Sequence, residues 1–520
     1  MKRFLDQWTG RPAPWWVASA ALITLAMLGF RGFGEAGLDW LEGARAQAAA
    51  TAGGDLSGWW ELRPGGMLEA LTGLLMLISP LNPEWTVAVT GVMAGVVSTV
   101  LVFLVAARLG GGLCGWVAVF FLFTSAPWLG VFTRGDPAAV VVPLVLGLVI
   151  LWRGPLRPTP WWVRGVGGAL CLAVGFLIWP GMALVAAALL LLDLAVPSRG
   201  RVSALQGVGA GAEVPLDRLL ICLGAVGLLL VMPWAGPSPV EAMGGFIEGF
   251  LAAPAEVVLF RGGVYPPARP PWYFGIALAL EALPVATAVA ILAGMATCGS
   301  GHLTERGQRM AQSLAVLAVM MLGLPVVFRG AIPLGADVSV IFLGLAAPLA
   351  SYGVCRFFTA VLSARAPVLK IRQIAIAVYF LVAASILVEV PRGVVHPEAY
   401  RSPLTARIAG WEVASDVPAR VEILPWRLVR AVATDTERFW SSGWERHLAA
   451  YGEMGLIGPG AVSPDGDRAT VYVRPVTAVS AGHRGSFPAV QRPAMPGAEV
   501  EVWEHRGRPV FFVDRKAGTR

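Results

Sequence analysis

The stretch GGMLEALTGLLMLISP, residues 65–80, decides how the rest of the chain is threaded. It is apolar, but short for a bilayer crossing, which takes about 20 residues, and Glu69 stands inside it. Read as a span, it inverts every loop that follows. Read as a helix lying along the interface, it leaves the later loops where they are. The basic residues choose between the two.

Runs long enough to cross fall near 13–30, 84–107, 112–131, 136–152, 164–178, 181–196, 217–235, 272–298, 310–328, 333–360 and 370–390, eleven in all. Place Lys2, Arg3 and Arg11 on the cytoplasmic side. Eleven spans then bring Arg108, Arg153, Arg157, Arg164, Arg199, Arg201, Arg218, Arg306, Arg309, Arg365, Lys370 and Arg372 to that same side. This is the one-sided distribution that the positive-inside rule requires. A twelfth span at 65–80 breaks it, so the stretch is read as interfacial. The N-terminal segment MKRFLDQWTGRPAPWW (1–16) precedes an apolar run and lacks a small-residue cleavage site. It is read as a retained signal-anchor helix.

Composition agrees. The 520 residues are 56% hydrophobic and 14% charged, with mean hydropathy +0.67, more apolar surface than a soluble protein of this size buries. The formal charge of +7 is spread over short loops and is no nucleic-acid footprint. The five cysteines lie in or beside apolar runs and the five histidines show no ligand spacing, so neither a disulfide framework nor a metal centre is implied.

The expected architecture is an all-α polytopic membrane domain over 1–390 and an extracytoplasmic α+β domain over 391–520. The outer side receives a first loop at 31–83 and a Pro/Gly-rich loop at 236–271. In the tail, DTERFWSSGWERHLAAYGEMG (435–455) reads as an amphipathic helix. ATVYVRPV (469–476) reads as a strand, and AEVEVWEHRGRPVFFVDR (498–515) as a hairpin turning near Arg506–Gly507. The spans show no internal repeat, which weighs against a transporter.

Charges beside spans are costly and mark chemistry. On the outer side these are Glu35, Asp39, Arg63, Arg134, Asp136, Arg261, Arg269 and Arg329. Guanidinium groups match phosphate geometry and stay cationic in a low-dielectric site. A carboxylate beside them stays ionised and can take a proton from an attacking hydroxyl or amine. The plainer readings stand beside these. Asp39 would then lie on a solvated helix face with Glu42 paired to Arg45, Arg134–Asp136 would be a self-paired turn, and Arg261, Arg269 and Arg329 would be headgroup anchors.

The order of features resembles the C-type glycosyltransferase (GT-C) superfamily, in particular its protein O-mannosyltransferase and aminoarabinose-transferase branch. LDWLEGARAQAAA (38–50) is similar to the acidic motif and Ala-rich helix of that family's first outer loop. ELRPGGMLEALTGLLML (61–77) is similar to its basic-Pro-Pro-Leu entry into an interfacial helix. AARLGG (106–111), FTRGDPAAV (132–140), the segment from Arg269 and the segment from Arg329 follow in the family's order. The resemblance covers about residues 10–390.

It implies transfer of a sugar from a polyprenyl-phosphate donor to a lipid, glycan or protein acceptor at the outer face of a bacterial inner membrane. Asp39 would be the catalytic base, with Glu35 in reserve. Arg63, Arg134, Arg269 and Arg329 would hold the donor phosphate, and Asp136 would brace the turn beside Arg134. Some branches use a divalent ion; Asp39 with Glu35 or Asp136 offers too few oxygen ligands to define its site. Three positions depart from the family pattern. Trp40 replaces a second acid, Gly65–Gly66 follows Arg63–Pro64, and Trp179 stands where a basic residue is common. These departures define the alternative, a catalytically inactive GT-C-like subunit that scaffolds or binds a membrane complex.

Overall fold

The computed structural model describes residues 14–30, 38–54, 66–81, 83–125, 138–153, 161–195, 216–231, 283–297, 305–327 and 336–363, with short pieces between them and six strand segments. Among these are twelve helices: α1 (Pro14–Phe30), α2 (Leu38–Ala52), α3 (Gly66–Ile78), α4 (Pro83–Gly110), α5 (Gly112–Phe123), α6 (Ala138–Arg153), α7 (Trp161–Ile178), α8 (Gly181–Ala195), α9 (Leu216–Val231), α10 (Val285–Thr297), α11 (Glu305–Val327) and α12 (Ala336–Ser363). The chain divides into two compact units. The first takes in Met1–Leu251, Gly275–Leu324 and Pro333–Thr405; the second takes in Ala252–Phe274, Pro325–Ile332 and Ala406–Arg520.

Helices of the first unit are apolar on nearly all sides, as a helix with lipid on one face and protein on the other must be. The outward residues are themselves large and apolar: Leu191 and Leu194 on α8, Leu223 and Leu230 on α9, Val289 and Leu292 on α10, Val316 and Val319 on α11. Hydroxyl side chains within the bundle donate back to their own helix, Thr24 to the Ala20 carbonyl at 2.7 Å and Ser98 to the Ala94 carbonyl at 2.7 Å. Polar groups satisfied inside the helix add no cost in hydrocarbon.

At the centre α12 packs on α4, α5 and α6. Trp128, Trp152, Phe103, Phe132 and Leu122 are the largest fully buried side chains. Close approach depends on glycine. A Cβ at Gly294 of α10 would stand 2.0 Å from the Leu349 carbonyl oxygen of α12, so the two backbones are in contact there. The α4–α5 turn closes at Gly111, whose φ of 86° is left-handed and whose N–H donates to the Ala107 carbonyl at 2.8 Å.

The stretch that fixed the threading is a helix of 13 residues, Gly66–Ile78, with Glu69 in its first turn. The expected span at 370–390 lies outside the described residues. The span expected over 272–298 needs a correction at Leu283–Pro284: Ile276 is helical and a regular helix runs over Val285–Thr297, but those two residues interrupt it, and 277–282 lie outside the described residues. Pro284 has no N–H to donate and disfavours helical geometry at the residue before it.

In the second unit, β1 (Val258–Phe260) and β2 (Gly263–Tyr265) pair antiparallel. A four-stranded sheet follows the order β3-β4-β6-β5, with β3 (Phe439–Trp440), β4 (Val471–Pro475), β5 (Ala498–His505) and β6 (Arg508–Lys516). The β5–β6 hairpin turns between His505 and Arg508, where the alternation of the sequence puts it. The helix expected over 435–455 is corrected at two residues: Phe439 and Trp440 form a strand parallel to β4. Aromatic side chains suit a pleated surface, and β4 offers them backbone partners. The remainder of 435–455 lies outside the described residues.

Candidate functional site

Helix α2 follows α1 after a seven-residue interval, residues 31–37, and Asp39 is its second residue. The first turn leaves backbone N–H groups without intrahelical partners and carries the positive end of the helix dipole, so a carboxylate is favoured at that position. Ala44 and Gln47 are buried, whereas Ala46 and Ala49 are exposed. Helical register puts position 39 with Ala46, seven residues on, on the open side. Position 40 falls with Ala44 and Gln47 on the packed side.

The packed side of α2 rests on α3, and Gly73 makes the contact close. A Cβ there would be 2.8 Å from the Ala44 carbonyl oxygen, 3.0 Å from the Ala48 nitrogen and 3.1 Å from the Gln47 Cβ. Helix α3 in turn lies against α4 and α7, so α2 is tied to the bundle through α3. Thr72, buried in the same helix, donates to the Leu68 carbonyl at 2.8 Å. The side chain of Asp39, and all of Glu35, Arg63, Arg134, Asp136, Arg269 and Arg329, lie outside what the structure describes.

Trp179, the residue at a position where the resemblance expects a base, is described. It sits in the α7–α8 turn, where its N–H donates to the Gly175 carbonyl at 2.7 Å and its own carbonyl accepts from Met182 at 3.1 Å. Its indole lies over Gly181, where a Cβ would come within 2.2 Å of the ring. The side chain is buried. An apolar plug therefore closes this turn.

A polar cluster elsewhere in the bundle was not singled out from the sequence. Arg153, at the end of α6, and Arg218, near the start of α9, both pair with Asp193, near the end of α8. Trp152 donates its indole N–H to Asp193 Oδ2 at 2.9 Å. The Nε of Arg153 donates to Ser313 Oγ of α11, and Ser313 donates to the Arg309 carbonyl at 2.7 Å. Arg309 adds a third positive charge close enough to repel Arg153. The signal for this cluster was a lone Asp within an apolar run, a costly placement that calls for a partner. Among the described residues no group of three or more His, Cys, Asp or Glu comes together as a metal site.

No protein-family model and no curated protein matches this chain. Solved structures do. One is ArnT from Cupriavidus metallidurans bound to undecaprenyl phosphate, 13% identical over 96% of this chain and 98% of that one, with a TM-score of 0.52. Its apo state, also 13% identical, aligns over 96% and 97% with a TM-score of 0.50. The archaeal oligosaccharyltransferase AglB from Archaeoglobus fulgidus, with a dolichol-phosphate and an inhibitory peptide, is 13% identical over 88% of this chain and 65% of that chain, with a TM-score of 0.48. At such identity the likeness is one of fold. Over nearly its whole length the chain shares the fold of the two ArnT structures.

Proposed function

We propose that this chain is an integral membrane glycosyltransferase of a bacterial inner membrane, taking a sugar from a polyprenyl-phosphate donor and passing it to a lipid, glycan or protein acceptor on the outer face. The observation that carries the reading is the place of Asp39 in the fold. It stands in the first turn of a helix that directly follows the first apolar helix, in register with that helix's open side, while the opposite side is clamped to α3. The long alignment with ArnT bound to undecaprenyl phosphate supplies the donor class, a polyprenyl phosphate.

In this reading Asp39 accepts the proton of the acceptor nucleophile as it attacks the anomeric carbon, and the bond from that carbon to the donor phosphate oxygen breaks. Arg63, Arg269 and Arg329 offset the charge that returns to the polyprenyl phosphate, with Arg134 beside them and Asp136 bracing its turn. Glu35 is the reserve base. No step is assigned to a divalent ion. Residues 1–390 form the transmembrane domain with a cytoplasmic N-terminus, and 391–520 an extracytoplasmic domain.

The test is transfer from a polyprenyl-phosphate sugar by purified protein. Asp39→Asn is expected to cut the rate at least about 100-fold with melting unchanged, and Glu35→Gln to cut it less. Full activity of Asp39→Asn would overturn the assignment of the base. A wild-type chain without activity, purified in a stoichiometric membrane complex and free of polyprenyl phosphate, would favour the scaffold.

A further inference from the structure

The Arg153–Asp193–Arg218 cluster lies outside the machinery proposed above. Two guanidinium groups, those of Arg153 and Arg218, share one carboxylate among the described residues, and the charge of Arg309 stands close enough to act on Arg153. The Arg153 side chain is 2% exposed, and its Nη2 has no hydrogen-bond partner. The buried Nε of Arg218, whose side chain is 14% exposed, has none either. Buried donors on a charged group are expensive to leave unpaired, and the one carboxylate that Arg153 and Arg218 share cannot balance both of them. Two helices end here and two begin, so their dipoles offset and the side-chain charges decide the local field.

We infer that this cluster binds the phosphate of an anionic membrane phospholipid. Two free nitrogens, Arg153 Nη2 and Arg218 Nε, are donors suited to a phosphate oxygen, and the excess positive charge supplies the attraction. The rim identifies the source of the phosphate. Leu191 and Leu194 beside Asp193, and Leu219 and Leu220 beside Arg218, are all exposed. An apolar border beside a cationic cluster at helix ends fits a lipid, with headgroup on the arginines and acyl chains along the leucines; a free phosphate ion would gain nothing from that border. The site is independent of the catalytic reading, because none of its residues belongs to the proposed transfer machinery.

The experiment is native mass spectrometry and melting of the detergent-purified chain with phosphatidylglycerol, phosphatidylcholine or inorganic phosphate. Phosphatidylglycerol is expected to be retained and to raise the melting temperature more than the other two. Arg218→Gln and, separately, Arg309→Gln should each weaken that retention about fivefold. Asp39→Asn should leave it unchanged, which separates a failure of this site from a failure of the transferase reading. Should Arg218→Gln not fold, the wild-type comparison together with Arg309→Gln carries the test. Equal retention of phosphatidylglycerol and phosphatidylcholine would overturn the site, as would a response to inorganic phosphate equal to that of the lipid.

Discussion

Arg153 and Asp193 stand 40 residues apart and pair at the ends of α6 and α8, and Arg218 of α9 reaches the same carboxylate. With the bond from Arg153 to Ser313 of α11, four helix ends are gathered at one level of the bundle. A chain whose spans alternate in direction must bring these four ends together, two closing and two opening. The ion network is thus a check on threading as well as a source of stability.

Asp193→Asn should be strongly destabilising. It removes the one described carboxylate that offsets Arg153 and Arg218 and leaves buried like charges facing each other, a loss of about 3 kcal/mol. The measurement is the fraction still monodisperse on fluorescence-detected size exclusion after a heating series. Asp193→Glu, which keeps the charge, should lose less than Asp193→Asn.

Trp40 and Asp39 should separate in their effects. Register assigns position 40 to the packed side of α2, with Ala44 and Gln47, and position 39 to the open side. Trp40→Ala is expected to lower melting by about 2 kcal/mol or more and reduce activity through misplacement. Asp39→Ala should leave melting within about 0.5 kcal/mol while abolishing transfer. Thermal unfolding of both variants, side by side with transfer rates, decides it.

Gly73→Leu should prise α2 from α3. Even a Cβ would stand 2.8 Å from the Ala44 carbonyl oxygen, and backbone cannot yield as a side chain can. The expected cost is about 1–3 kcal/mol, with transfer falling further than the amount of folded protein does. Rates normalised to folded protein would show whether the helix pair positions the chemistry.

Gly112→Ala should clash with the indole of Trp16, because the new Cβ would lie 1.9 Å from a ring carbon. A loss of about 1–3 kcal/mol is expected, and Trp16→Ala in the same chain should recover part of it. A double-mutant cycle on melting gives the coupling. Purely additive losses would mean that the two residues do not meet.

Much of the fold was legible because bilayer physics writes it in one dimension. Apolar runs and one-sided arginines marked the helices, and the short apolar stretch with Glu69 is one of them. The break at Leu283–Pro284 was visible in principle, but hydropathy averages over a single proline. Phe439–Trp440 joined a strand because a partner in β4 lies close, and local periodicity carries no information about partners. Asp193 was passed over for the same reason. A single Asp near the end of an apolar run looks ordinary until two arginines from distant helices are seen to meet it. Asp39 was legible as a helix-start carboxylate, whereas the grouping of outer arginines around it is a tertiary question.

The Arg153–Asp193 pair also sets an order of events during synthesis. When α6 emerges, its terminal arginine has no carboxylate from α8, which arrives 40 residues later, some ~2–8 s at ordinary ribosome speeds. Arg218 follows 25 residues after Asp193, and Ser313 only when α11 is made, 160 residues beyond Arg153. In the interval Arg153 must remain at the lipid headgroups, where water and phosphate solvate it. Helix α6 can then be inserted early but locked late. The ribosome supplies the latch in stages, and the nascent chain dwells as a loose hairpin on the membrane until the second half of the bundle closes it.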